Sequence, residues 1–171
     1  LHIDTGMARL GLPPDEWDTL IREPWRLDGI TLANLMSHLA CADEPDHPLN
    51  RQQLTDFQVA RQAFAGVNSS FANSSGIFLG PEYHFELVRP GVSLYGVEPY
   101  PGEPNPMAQV VRLQGKILQV RDIDRPWTVG YGATHRVKRR GRVATVGVGY
   151  ADGFPRSLSN SGSGYMGDTR V

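Results

Sequence analysis

Four prolines and a glycine fall within residues 98–106, Glu-Pro-Tyr-Pro-Gly-Glu-Pro-Asn-Pro, and no helix or central strand runs through such a stretch. The break divides the chain into parts of different pattern. Before it, short apolar runs alternate with helical periods. Residues 1–4 read as the end of a strand, and Pro13-Pro14-Asp15-Glu16-Trp17 as a helix start, with prolines in the first turn and carboxylates at the positive end of the helix dipole. Residues 35–40 read as a second strand. Residues 46–64 form the clearest helix, because Leu54, Phe57, Ala60 and Phe64 recur at spacings of three and four. A third strand is expected over 70–73, opening into a short helix at Ser74-Ser75-Gly76, and a fourth over 85–89. Strands separated by helices predict parallel pairing and an α/β barrel or open sheet.

Beyond the break the pattern is strand-rich. Val111, Leu113 and Ile117 share one face, with Arg112, Gln114 and Lys116 on the other. Apolarity then moves to Leu118 and Val120, which predicts a bulge near Gly115. Residues 142–148 form a nearly continuous apolar strand. The expected organisation is a first domain over 1–98, a linker over 99–106, and the beginning of a β-rich domain over 107–171.

Charge and composition narrow the function. The 171 residues are 40% hydrophobic and 20% charged with a net charge of -1, so nucleic acid and anionic membranes have no electrostatic claim on the chain. No apolar run reaches the length of a membrane span, and no signal peptide is visible. Cys41 is the one cysteine, which excludes an internal disulfide and fits a reducing compartment. A small buried hydrophobe explains it better than a thiol nucleophile or a metal ligand. Of the 17 basic residues only Lys116 and Lys138 are lysines. The chain opens on Leu1 and ends on Val171 with the look of a piece cut from a longer one, and half a barrel would leave open strand edges.

Several residues carry chemistry if they lie at the carboxyl ends of barrel strands, where α/β enzymes place functional groups. Arg9, in Asp4-Thr5-Gly6-Met7-Ala8-Arg9, has the fork that grips a carboxylate, although a surface arginine on a turn explains it as well. His38 ends a strand, a position that a packed core histidine also fills. Asn73-Ser74-Ser75-Gly76 leads into a helix start whose free amides suit a phosphate, and an ordinary serine N-cap is the commoner meaning of that spacing. Arg89-Pro90-Gly91-Val92 offers more amides, and Arg89 at a strand end calls for an anionic neighbour or ligand. Tyr131 stands between Gly130 and Gly132; its phenol, with an ordinary pKa of about 10, needs help to act as a base near neutrality. Gly147-Val148-Gly149-Tyr150-Ala151-Asp152 fails as a dinucleotide fingerprint, because Asp152 stands where the third glycine belongs and no helix follows. Residues 135–142 are a basic run best read as a solvated hairpin.

Taken in order, these segments resemble alanine racemase. The resemblance rests on His2-Ile3-Asp4-Thr5-Gly6-Met7 with Arg9-Leu10-Gly11, Ser37-His38, Asn73-Ser74, Arg89-Pro90-Gly91, Leu94-Tyr95-Gly96, Gly130-Tyr131-Gly132-Ala133-Thr134, and Gly149-Tyr150-Ala151-Asp152-Gly153 with Pro155-Arg156. It implies the latter part of a (β/α)8, TIM-type barrel followed by the start of a β-rich C-terminal domain. It also implies a pyridoxal 5'-phosphate (PLP) enzyme that interconverts L- and D-alanine by two-base proton transfer and supplies D-alanine for cell-wall peptidoglycan. A broader-specificity amino-acid racemase, an amino-acid decarboxylase of similar barrel architecture, against which Tyr131 argues, and a non-catalytic PLP-barrel fragment are the alternatives.

Roles follow from the resemblance residue by residue. Arg89 would donate to the pyridine nitrogen of PLP, and His38 would link Arg89 to the catalytic tyrosine. Ser74 with the amides of Gly91 and Val92 would cradle the phosphate. Arg9 would contact the substrate carboxylate and the cofactor's phenolic oxygen. Tyr131 would be one acid/base group, acting in the partner's site of a cytoplasmic homodimer, and Tyr150 would stand near the substrate entryway. No metal is implied. Two positions depart from the family. Neither Lys116 nor Lys138 matches the PLP-lysine motif, so this chain alone is expected to lack the second base and to be inactive. His2 also stands where many members carry a carbamylated lysine that helps orient Arg9.

Overall fold

A computed structural model describes residues 1–171. Its contacts divide the chain into two units, Leu1–Arg112 and Leu113–Val171.

The first unit begins with an extended segment whose His2 bridges Met36 in parallel. Helix α1 (Pro14–Arg22) follows, entered through an extended Pro13 and carrying Asp15 and Glu16 in its first turn. Strand β1 (Asn34–Met36) leads to helix α2 (Pro48–Ala63), which leads to strand β2 (Asn68–Ser70). β1 and β2 are parallel, with Leu35 opposite Ser69, and Ser70 bridges Leu87 in parallel. Four chain segments thus lie side by side in sequence order, all parallel, with α1 and α2 in the first two connections and two 3-10 turns, Gly76–Phe78 and Pro81–Tyr83, in the third. That is the winding of an α/β barrel, of which this unit is the latter part.

The regular elements are shorter than the pattern predicts, for local reasons. α2 starts at Pro48 and not at residue 46. Proline fixes the first helical position and drives His47 into extended backbone (ψ 125°), where its Nδ1 accepts from the Leu49 amide. β2 ends at Ser70 and not at residue 73, and the expected fourth strand over 85–89 is reduced to single bridges. Beyond Leu87 the one backbone-to-backbone bond back across runs from the Arg89 amide to the Ala72 carbonyl.

α2 drives the packing. Leu54, Phe57 and Ala60 form its apolar stripe and are buried against Ile3, Leu35, Leu39 and Phe71. Phe57 stacks on Phe71 with ring centroids 4.8 Å apart and meets the edge of Phe85 at 5.1 Å. Tyr83 continues the stack on the far side of Phe71.

In the second unit, strand β3 (Ile117–Ile123) pairs antiparallel with β6 (Gly141–Val146). Strand β4 (Trp127–Val129) pairs with β5 (His135–Val137), and β7 (Tyr165–Met166) with β8 (Thr169–Arg170). The register shifts between Ile117 and Gln119, so the bulge lies at Leu118 and not at Gly115. Gly115 has a different role: a Cβ there would lie 2.5 Å from Val146 Cγ1, so the glycine permits close passage of β6. No residue of this unit is buried, because each sheet has two strands and no second layer covers it. The basic run divides between β5 and the link into β6.

Candidate functional site

Arg89, His38 and Ser37 meet where the parallel strands end. Arg89 follows the Leu87 bridge, and Ser37 and His38 follow directly after β1. The guanidinium donates from Nη1 to Ser70 Oγ (2.5 Å) and from Nη2 to the Ser37 carbonyl (2.6 Å), and Nη2 also lies 3.4 Å from His38 Nδ1. Ser70 Oγ passes its own hydrogen to the Leu87 carbonyl. An arginine has only donors, so His38 Nδ1 faces it as an acceptor and the ring proton belongs on Nε2. Burial lowers the His38 pKa, and the charges of Arg89, Arg9 and His2 lower it further. Burial also pulls Arg89 down. The imidazole is therefore neutral at pH 7 beside a cationic guanidinium.

His2 joins this cluster. Burial and Arg89 depress its pKa, Asp4 opposes them, and Arg9 adds to the depression. Arg9 is exposed and pairs with no carboxylate of the chain. Burial pushes the Asp4 carboxyl upward, but the amides of Gly6, Ala8 and Met7 outweigh it and hold Asp4 low. Two cationic arginines and two neutral imidazoles thus share this end of the strands with one carboxylate, Asp4, that its own loop already satisfies. The unbalanced positive charge suits an anionic ligand.

Ser74 does not cap the short helix that follows it. That turn, a 3-10 helix at Gly76–Phe78, receives no side-chain bond from Ser75 at its N-cap; Asn73 Oδ1 accepts from the Gly76 amide instead. Ser74 Oγ reaches seventeen residues along the chain and accepts from Gly91 N–H (2.7 Å) and Ser93 N–H (3.3 Å). It therefore caps the 3-10 turn at Val92–Tyr95. The Gly91 amide is taken. The donors left open at this cradle are the Val92 amide and the hydroxyl hydrogens of Ser74 and Ser93. Ser93 Oγ is buried and has no partner in the chain, so its hydroxyl is uncommitted.

Beneath these residues lies a network the sequence reading missed. Gln53 on α2 is fully buried and touches two functional segments. Its Nε2 donates to the His38 carbonyl (2.9 Å) and to Thr5 Oγ1 (3.2 Å), and its Oε1 accepts from the Ala40 amide (2.9 Å). Thr5 Oγ1 in turn bonds Ser37 Oγ (2.8 Å). The signal was present: Gln53 sits four residues before Phe57 on the apolar stripe of α2, where a polar residue demands partners. A cleft of about 550 Å³ near the amino end of β2, lined by Arg61, Val67, Phe85 and Glu86, lies away from the Arg89 cluster; Arg61 there is already paired with Glu86.

Tyr131 and Tyr150 belong to the second unit. Tyr131 is 98% exposed at the tip of the β4–β5 hairpin, between Gly130 (φ 75°) and Gly132 (φ 70°). Tyr150 opens a short turn at Tyr150–Asp152 in which Asp152 Oδ2 accepts from the Gly149 amide; it too is exposed.

The same chain matches two family descriptions. Residues 1–99 match "Alanine racemase, N-terminal domain" and residues 110–171 match "Alanine racemase, C-terminal domain". An alanine racemase of Rhodospirillum rubrum is 58% identical over 171 residues, 100% of this chain and 46% of that protein. A biosynthetic alanine racemase of Agrobacterium fabrum is 48% identical over 162 residues, 95% of this chain and 41% of that protein. The chain thus spans less than half the length of these relatives. Among solved structures, alanine racemase from Bartonella henselae with covalently bound pyridoxal phosphate superimposes with a TM-score of 0.81 at 39% identity, over 99% of this chain and 47% of that one. Alanine racemase from Streptomyces coelicolor gives a TM-score of 0.82 at 32% identity, over 99% and 48%. With the ordered strand-end residues and both domain descriptions in agreement, the chain belongs to the alanine racemase family.

Proposed function

We propose that the full-length protein carrying this chain is an alanine racemase that uses PLP to interconvert L- and D-alanine and so supplies D-alanine for cell-wall peptidoglycan, acting as a cytoplasmic homodimer with shared active sites. One observation supports this most: a half-buried guanidinium is fixed on Ser70 Oγ and the Ser37 carbonyl, with a neutral imidazole beside it and an incompletely satisfied hydroxyl cradle on the same chain.

The residues present fit the cofactor. Ser74, Ser93 and the Val92 amide would hold its phosphate at the turn that Ser74 caps, with Gly91 allowing close backbone approach. Arg89 would face the ring nitrogen, and a donor that stays charged keeps that nitrogen an acceptor. Bound PLP supplies an electron sink that weakens the Cα–H bond of an attached amino acid. Arg9, exposed within the positive cluster, would hold the substrate carboxylate with its two-pronged fork. His38, neutral and with its proton on Nε2, would donate onward to the catalytic tyrosine, which couples Arg89 to the phenol.

Tyr131 would accept or return the α-proton for one enantiomer in the partner's site, and a hydrogen-bonded phenol near cations is the form able to do so. The other base would be a lysine of the full-length protein other than Lys116 and Lys138. Tyr150 would line the approach of the substrate. The test is turnover by the full-length protein across L-alanine and other L-amino acids, followed by loss of optical activity and by CO2 release. D-alanine formation without CO2, abolished by Tyr131→Phe, is the expected result. Equal turnover of many amino acids points to a broad racemase, and no D-amino acid from any substrate overturns the proposal.

A further inference from the structure

We propose that Gln53 is a positioning residue, clamping the backbone on both sides of Leu39 so that the His38 imidazole stays against Arg89. This rests on the reading of His38 and Arg89 as cofactor-site residues. Gln53 acts only through others: it touches neither the imidazole nor the guanidinium, but it holds the carbonyl of His38 and the amide of Ala40 from one side chain. Those two groups fall past the end of β1, where no ladder partner is available to them. A partly buried carbonyl and amide left without these partners would let this segment move to find water. The carbonyl of Ser37, one residue earlier, is the acceptor for Arg89 Nη2, so any shift of this segment passes directly to the guanidinium.

The second donor bond of Gln53 extends the clamp. Thr5 Oγ1 receives it and bonds Ser37 Oγ, tying the loop that carries Arg9 to the segment that carries His38. Two functional loops and one helix are thereby fastened through neutral groups, of which the Gln53, Thr5 and Ser37 side chains are buried. Phe57, one turn further along α2, has no such reach: it contacts Phe71 and Phe85 in the core. The helix therefore separates a clamp residue from a packing residue and provides its own control.

The experiment compares Gln53→Met, Thr5→Val and Phe57→Leu in the full-length PLP-bound protein. Selective 15N-histidine labelling reports the His38 ring, assigned with His38→Gln. Gln53→Met is expected to turn a single Nε2–H tautomer into an averaged one and to move the His38 pKa upward toward its ordinary value. It should lower kcat about tenfold with KM for alanine within about twofold, the scale of a disturbed acid–base relay. Thr5→Val should shift the same ring signals in the same direction and lower kcat about threefold, which keeps the test open if Gln53→Met folds poorly. Phe57→Leu should lower Tm while leaving the His38 signals in place. If Gln53→Met and Thr5→Val leave the His38 signals at their wild-type positions, or Phe57→Leu moves them equally at equal loss of Tm, the clamp is refuted. Failure of the wild-type protein to racemise alanine strikes the functional reading instead, and the imidazole signals still decide the clamp.

Discussion

Replacing Ser74 by alanine removes one oxygen and strands two amides of unequal need. The Gly91 N–H, bonded at 2.7 Å, belongs to an exposed residue and recovers a water, so its loss costs about 1 kcal/mol. The Ser93 N–H, at 3.3 Å, belongs to a buried residue; its bond is weaker, but water reaches it poorly, adding about 1 kcal/mol more. A local destabilisation of about 2 kcal/mol corresponds to roughly thirtyfold faster amide exchange, at 1.4 kcal/mol per factor of ten. Hydrogen exchange on the full-length protein, resolved over residues 90–96, reads this directly, and Ser74→Thr should retain most of the protection. PLP retention should fall in parallel, because the same hydroxyl belongs to the phosphate cradle. Exchange at Gly91 and Ser93 changing by less than about threefold would refute the reasoning, since it would mean that Ser74 does not hold the turn.

Arg89→Lys should cost about 3 kcal/mol in urea unfolding, because a single ammonium cannot reproduce the fan that reaches Ser70 Oγ and the Ser37 carbonyl together. Phe57→Ala should cost about 3–5 kcal/mol by opening a void between Phe71 and Phe85, measured the same way. Acidification should destabilise the protein in two stages. The folded pKa values of His2 and His38 lie below the ordinary 6.5, so the unfolded chain binds protons first and stability falls as pH drops below 6.5. Asp4, held below its ordinary 3.8, adds a further loss only below that value. Thermal melting of wild type and His38→Gln between pH 8 and 4 checks the first stage, whose slope the variant should lessen.

The fold was legible wherever one rule acted alone. The period of α2 and the parallel alternation each follow from backbone sterics and apolar spacing, and the structure carries both. The two units part between Arg112 and Leu113, beyond the proline-rich stretch at 98–106. Element lengths were less legible, because they depend on what lies alongside. The strand expected over 70–73 stops at Ser70, and that over 85–89 shrinks to bridges, for want of neighbours with which to pair. Arg89 and His38 could be named from their strand-end positions, and they do meet. Ser74 illustrates the opposite case. Local spacing assigns it to the helix beside it, whereas its hydroxyl serves a turn seventeen residues away, a pairing that only the folded chain brings about. Gln53 was passed over because amphipathic periodicity counts apolar residues and passes over a polar one set among them.

The fastenings at the strand ends are hydroxyls, amides and carbonyls, while the three ion pairs of the chain all lie on the surface. Dissolved salt weakens the second kind and scarcely touches the first. Ionic strength should therefore leave the seat of Arg89 and His38 intact while α1 loses what little its Asp18–Arg22 pair provides. Anions that enter the positive cluster are another matter: sulfate or phosphate would compete with ligand for charge without loosening the scaffold that presents it. Any inhibition by such ions should follow their identity and valence, and sodium chloride at matched ionic strength should reproduce little of it.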